Sequence, residues 1–158
     1  AKAELMRLLD EFPVVRVQFA HYCSTVYDGI NLDQCAEFLD KYPNLYIDLS
    51  MGGGLPRYMK YLKDETARQQ IRDFILKYQD RAFYGTDIIL FPKGSTTRAS
   101  WIEKRIRCDL DLLSKKEFTC GVAKGIPNNE IFPGLELPQD VLKKIYEENP
   151  RKFLGLDR

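Results

Sequence analysis

An α/β fold is predicted for this chain, on three observations. Helical and strand periodicities alternate along its first half, apolar positions three and four apart giving way repeatedly to short β-branched or aromatic runs. Helical segments separate the strands, and parallel neighbours need such a crossover, whereas antiparallel ones can be joined by a tight turn. The 158 residues are 44% hydrophobic, enough for one ordinary domain with a core, so a single domain over residues 1–158 is expected.

The elements follow in order. Ala3, Leu5, Met6, Leu8, Leu9 and Phe12 take helical spacing, Pro13 stops the helix, and Val14 to Phe19 read as a strand that runs to Ala20. Asn31 suits an N-cap, with Leu32, Cys35, Ala36 and Leu39 on one helical face, and Pro43 then precedes the strand Asn44 to Leu49. Gly52-Gly53-Gly54 signals a loop. Ala67, Ile71, Phe74, Ile75 and Tyr78 share a helix face ahead of the short strand Ala82-Phe83-Tyr84. A further helix is expected from Arg98 to Leu113. The glycines, prolines and asparagines between Ser114 and Leu137 read as a long irregular loop. Two helices close the chain, one from Gln139 to Glu147 and one from Asn149, where Pro150 fits the first turn.

Composition excludes several classes. With 24 basic and 23 acidic residues, net charge +1 and no basic stripe, a nucleic-acid partner is not expected. No apolar stretch approaches the roughly 20 residues of a membrane span, and the first residues open into a helical pattern without a secretory signal. Cys23, Cys35, Cys108 and Cys120 lie apart with no CxxC pair, which predicts reduced thiols and a cytoplasmic protein.

Two residues draw attention. Asp87 follows Gly85-Thr86 at the mouth of the third strand, and His21, the only histidine, ends the first. In α/β folds the carboxyl ends of strands face the crevice that binds ligands. Read alone, Asp87 can equally cap its own turn, and a single histidine at a strand end is more often a packing residue. Cys23 is set aside as a nucleophile, Arg57 is read as a solvated loop residue, and the triple glycine lacks the Lys-Ser/Thr of a phosphate cradle. The tyrosines, among them Tyr42, Tyr46, Tyr58 and Tyr61, fit packing rather than a stacking platform.

Four segments together carry a family resemblance: Val17 to His21, Leu39 to Asp48, Phe83 to Asp87, and the ending from Leu137-Pro138 through Ile145-Tyr146 and Asn149 to Leu156. In this order they resemble the carboxyl-terminal half of the amidohydrolase-related, metal-dependent hydrolases of the amidohydrolase 2 type. That resemblance implies part of a (β/α)8 TIM barrel, strands six to eight with their helices, the first five having no counterpart here. It implies that Asp87 is the eighth-strand aspartate, a metal ligand that takes a proton from the attacking water. It implies that His21 is the sixth-strand histidine, ligating a second metal or acting as acid and electrostatic stabiliser. The family's glycines after this histidine are replaced by Tyr22-Cys23-Ser24.

The implied cofactor is a divalent metal ion, zinc or manganese. Its family ligands on strands one and five are histidines, and no second histidine exists in this sequence, so the metal is expected to be absent from the chain alone. Metal-activated water acting on an ester, lactone or amide-type bond of a small molecule is the implied chemistry, with nonoxidative decarboxylation on the same scaffold as an alternative. A noncatalytic truncated α/β module for binding or assembly is the reading from another class. Three strands leave two open sheet edges, which predicts the missing barrel half, or a second copy of the chain, as partner.

Overall fold

The computed structural model describes residues 2–24, 31–89, 99–122 and 125–156. Its elements are α1 (Lys2–Glu11), β1 (Val17–Phe19), α2 (Leu32–Lys41), β2 (Leu45–Asp48), α3 (Leu55–Lys63), α4 (Glu65–Lys77), β3 (Ala82–Phe83), α5 (Ala99–Ser114), β4 (Glu117–Thr119), β5 (Ile131–Pro133), α6 (Gln139–Lys143) and α7 (Asn149–Leu154). A π-helical turn, Lys144–Glu148, joins the last two. Strands β1, β2 and β3 form a parallel sheet in that order, and β4 pairs with β5 antiparallel. The fold is thus mixed α/β around a parallel three-stranded sheet.

Register sorts the sheet into two faces. Gln18 lies opposite Tyr46 and Asp48 opposite Phe83, so these four share one face, while Val17, Phe19, Leu45, Ile47 and Ala82 share the other. Every residue of β2 is buried, as expected of a parallel strand covered on both sides. Phe19 meets Phe38 of α2 edge-on at 6.0 Å on the second face. On the first, Tyr46 and Phe83 stack about Phe153 of α7 at 5.3 and 5.4 Å. The α7 backbone is fastened at the amino ends of the strands. The Arg16 guanidinium donates to the carbonyls of Lys152 and Phe153, and the Asn149 amide to those of Gln79 and Ala82 at 2.6 and 2.7 Å. The carboxyl ends of the strands lie at the opposite end of the sheet.

Local chemistry explains the helices. The Asn31 side chain accepts from the Gln34 N–H at 3.1 Å, and Asp64 accepts from Ala67 at 2.8 Å, so both N-caps satisfy a donor that the first turn leaves open. Residues Gly52–Gly54 form a 3₁₀ turn rather than a plain loop, and α3 follows directly, with Pro56 in the first turn where its missing N–H costs nothing. The sequence reading passed over α3 because glycine and proline are normally punctuation. Helix α5 begins at Ala99; Arg98 lies outside the described residues.

The first strand is shorter than its β-branched run suggests. Val14 is 90% exposed, because β2 offers a partner only from Leu45 onward and Asn44 donates instead to the carbonyls of Phe12 and Val15, holding that segment as a turn. The stretch 114–137 is not irregular throughout, since it contains β4 and β5. Its return segment docks on the end of α5: the N–H groups of Leu135 and Leu137 donate to Leu112 and Leu113 at 2.8 and 2.9 Å. Those carbonyls are ones that a helix terminus leaves unsatisfied. Only glycine fits at position 134, where a Cβ would lie 2.1 Å from the Lys115 carbonyl oxygen.

The expectation of reduced thiols is corrected. Cys23 is bonded to Cys35 and Cys108 to Cys120, and no free cysteine stands among the described residues. Each pair is twelve residues apart, with Cα atoms 5.5 and 5.1 Å from one another, well inside the range a disulfide requires. Spacing without a CxxC signature conceals pairs that only the helix–strand packing brings together. Closing loops of this size stabilises a fold by about 3 kcal/mol each in the chain-entropy account.

Beside the second bridge, Arg105 and Asp109 pair at 3.1 Å across one turn of α5, both almost wholly buried. Burial pushes the Asp109 carboxyl up to about 6, the nearby guanidinium only partly opposing it, and one carboxylate oxygen finds no hydrogen-bond partner among the described residues. A folded pKa above the unfolded one means the folded state holds the proton more tightly. Its stabilising contribution is full below the unfolded value near 4 and is lost as pH rises through about 6. Wild type should therefore lose about 2 kcal/mol of unfolding free energy, relative to Asp109→Asn, between pH 4 and 7 in urea titrations. Parallel pH profiles for the two proteins would refute this.

Candidate functional site

The carboxyl ends of the three parallel strands carry the polar residues. After β1 the chain enters Ala20–Ser24, where His21, Tyr22 and Cys23 all adopt left-handed backbone angles, with φ of 57°, 50° and 60°. Three consecutive non-glycine residues in this region cost about 1–2 kcal/mol apiece. The turn persists because each of the three is anchored. The His21 N–H donates to Asp48 Oδ1 at 3.1 Å. Tyr22 is buried, its hydroxyl 3.0 Å from that of Tyr58, and burial holds both phenols above their ordinary range, so they stay neutral and hydrogen-bonded. Cys23 is tied to Cys35 of α2.

Asp48, the last residue of β2, is the hub. Its Oδ1 accepts from the backbone N–H groups of His21 and Ser50 and from the Ser50 hydroxyl, and its Oδ2 accepts from the Gln18 amide at 2.6 Å. Four donors saturate a carboxylate that is only 6% exposed, which is the condition for burying one. Gly85 makes room for it. A Cβ there would stand 3.1 Å from Asp48 Cγ and 3.3 Å from Oδ1, so the glycine of the Gly85-Thr86-Asp87 turn lets the chain pass its neighbour strand without displacing the Asp48 carboxylate.

This network sets the tautomer of His21. Its Nδ1 lies 2.8 Å from Ser50 Oγ and 3.3 Å from the Ser50 carbonyl oxygen. The single hydroxyl proton is committed to Asp48 and a carbonyl only accepts, so Nδ1 must carry the hydrogen. In the neutral ring Nε2 is then an acceptor. It faces Asp87 Oδ2 at 3.8 Å, beyond direct hydrogen-bond reach. Asp87 is itself held with a φ of 50°, a conformation that aspartate tolerates better than most residues. The His21 and Asp87 side chains are 15% and 31% exposed, so both reach solvent from one rim. Two acceptors pointed at each other suit a species that donates two hydrogens or carries positive charge.

The structure thus places His21 and Asp87 together, as the sequence paired them, and adds three residues the sequence reading missed. Asp48 and Ser50 were detectable by the criterion that found Asp87, an acidic or hydroxyl side chain at the carboxyl end of an apolar strand. Gln18, inside β1, gave no comparable signal. Arg57 lies exposed on α3 rather than in a loop, and Cys23 is bonded to Cys35 and so is no free nucleophile. As a metal centre the rim is incomplete: catalytic zinc takes three protein ligands, and no group of three or more His, Cys, Asp or Glu among the described residues could hold an ion. The residues present therefore do not by themselves fit the metal that the resemblance implies.

The strand-end histidine and aspartate stand where parallel α/β folds place ligand-facing side chains, and the comparison with protein families bears on the chain as a whole. The family whose description is amidohydrolase matches residues 2–156, and the chain belongs to that family. Hydrolase-type chemistry, or the related decarboxylation, is the general activity class this membership supports, and divalent metals are in general use among its members. No curated protein and no solved structure matches the chain.

Long-range ¹H–¹⁵N correlation of the single imidazole should find the hydrogen of the neutral ring on Nδ1, and Ser50→Ala should weaken that preference while the carbonyl of residue 50 still accepts. A ring protonated at Nε2 in the wild type would contradict the network. Gly85→Ala should cost about 1–3 kcal/mol in urea unfolding, the usual penalty for overpacking; an unchanged midpoint would show that Asp48 can retreat freely.

Proposed function

We propose that this chain is the carboxyl-terminal part of a (β/α)8 barrel hydrolase that directs water at an ester, lactone or amide-type bond. The single observation that carries the reading is the meeting of His21 Nε2 and Asp87 Oδ2 at 3.8 Å on one rim of a parallel sheet. In this reading Asp87 is the general base, its exposed oxygen receiving the proton of the attacking water. His21 faces the same position and, once protonated at Nε2, serves as acid and electrostatic stabiliser toward the substrate. Asp48 and Ser50 act through His21: they hold the ring's orientation, with Nδ1 on Ser50 and Nε2 toward Asp87.

Strands β1 to β3 stand in this proposal for the sixth to eighth of the barrel, within one domain over 1–158. The outer edges of β1 and β3 pair with no other strand among the described residues, and Leu8, Phe12, Val14 and Val15 near the β1 edge are exposed. Both features favour the missing barrel half, or a second copy, as the covering partner. Zinc or manganese would take Asp87 and His21 together with ligands from outside this chain. No described helix is long and apolar enough to cross a membrane. Cytoplasmic residence is compatible with the two cystines only where they form there, because reducing cytosol keeps thiols reduced, and an oxidising compartment accommodates both without that demand. The incomplete ligand set also favours a second reading, a noncatalytic module in which the rim binds without turnover.

Titration of the isolated chain with Zn²⁺ or Mn²⁺ should show no tight equimolar binding, and a stoichiometric site would refute the two-ligand account. In a protein that supplies the remaining barrel, Asp87→Asn should lower turnover about 10²- to 10⁴-fold with metal content measured in parallel, the range of general acid–base catalysis. Full turnover with bound metal retained would remove Asp87 from the role of base.

A further inference from the structure

The two cystines differ in a way that bears on the rim. Cys108 and Cys120 are both buried, at 2% and 1% exposure, so an attacking thiolate cannot reach either sulfur without local opening. Of the other pair, Cys35 is fully buried, whereas Cys23 is partly exposed on the left-handed turn. Exchange requires access to a sulfur, and accessible bridges are the reducible ones. The accessible bridge is also the one whose cysteine stands two residues from His21, in a turn where three successive residues hold backbone angles that their side chains disfavour.

We propose that Cys23–Cys35 is a thiol–disulfide exchange site for a dithiol reductant, and that its opening releases the turn which presents His21 to Asp87. The thiolate of the reductant attacks the Cys23 sulfur, forming a mixed disulfide, and Cys35 leaves as a thiolate that takes up a proton. The second thiol of the reductant then attacks its own sulfur in the mixed disulfide, and Cys23 departs as a second thiol. The cystine gains two electrons and two protons and the dithiol becomes a disulfide, so the exchange balances. One of the three anchors of the turn is then gone. The Asp48 contact to the His21 N–H, the Ser50 contacts to its ring and the Tyr22–Tyr58 contact remain, but none of them fixes residue 23, and the ring contacts hold only while the backbone at 21 keeps its place. The backbone at 21–23 relaxes toward ordinary angles, and the imidazole leaves its 3.8 Å approach to Asp87. This holds whatever bond the rim acts on, and whether or not it acts on any.

Because the chain has one histidine, the ring resonances of His21 report the event directly. The oxidised full chain is titrated with dithiothreitol at fixed pH, aliquots are alkylated and mapped by mass, and the imidazole ¹H–¹³C signals are recorded alongside amide dispersion. The expected result is that Cys23 and Cys35 become alkylated while Cys108–Cys120 stays closed. The oxidised His21 signal is lost in step and replaced by a new one, with the remaining amides still dispersed. Cys23→Ser with Cys35→Ser should show the new signal with or without reductant. Should that variant not fold, the wild-type titration alone decides. Cys108–Cys120 opening first, an unmoved His21 signal after alkylation of Cys23 and Cys35, collapse of amide dispersion at the same step, or absence of the bridge from the air-oxidised protein would each overturn the proposal.

Discussion

A carboxylate with four donors holds the rim of this molecule together. Asp48 sits where the middle strand ends, and its two oxygens collect hydrogen bonds from β1 through Gln18, from the turn after β1 through His21, and from its own chain through Ser50. A buried carboxylate is tolerated only when so satisfied, and removing any partner leaves charge without compensation. The requirement therefore runs outward from Asp48. It explains why the chain after the third strand passes it closely at a glycine, why the turn after β1 can sustain strained angles, and why the imidazole is held with Nδ1 on Ser50 and Nε2 toward Asp87.

The ends of the sheet are specialised in opposite senses. At the amino ends α7 is pinned by Arg16 and Asn149 through backbone carbonyls, and from there Phe153 packs against Tyr46 and Phe83 on one face of the sheet. The carboxyl ends keep their polar groups near solvent. Such a division is what parallel α/β folds generally show, stability at one end and ligand-facing side chains at the other. Tyr46 and Asp48 illustrate it on one strand: two residues apart, they share a face, yet one stacks on Phe153 and the other organises the rim.

Much of this was legible from the amino acids. The apolar periods gave the helices α1, α2, α4 and α5, the Asn31 cap, and three strands separated by helices, because amphipathic spacing and capping are local properties. His21 and Asp87 could be named because polar residues that interrupt an apolar strand at its end are rare and conspicuous. Other features resisted. Helix α3 hides behind Gly52–Gly54 and Pro56, residues whose usual meaning is a break. Val14 and Val15 look like strand but have no partner opposite them. The pair β4 and β5 is held by docking on the end of α5, which no local signal announces.

The chain's own sequence determined the α/β class, the order of its principal elements and the presence of a histidine and an aspartate at strand mouths, all consequences of short-range periodicity and side-chain type. Only the tertiary structure decided which groups meet. It joined cysteines that spacing alone had left as free thiols, brought Asp48 beneath the His21 turn, and set Nε2 against Asp87. The physical reason is that hydrogen-bond saturation and disulfide geometry depend on distances of a few ångströms between residues far apart in the chain, and strand register and helix packing fix those distances.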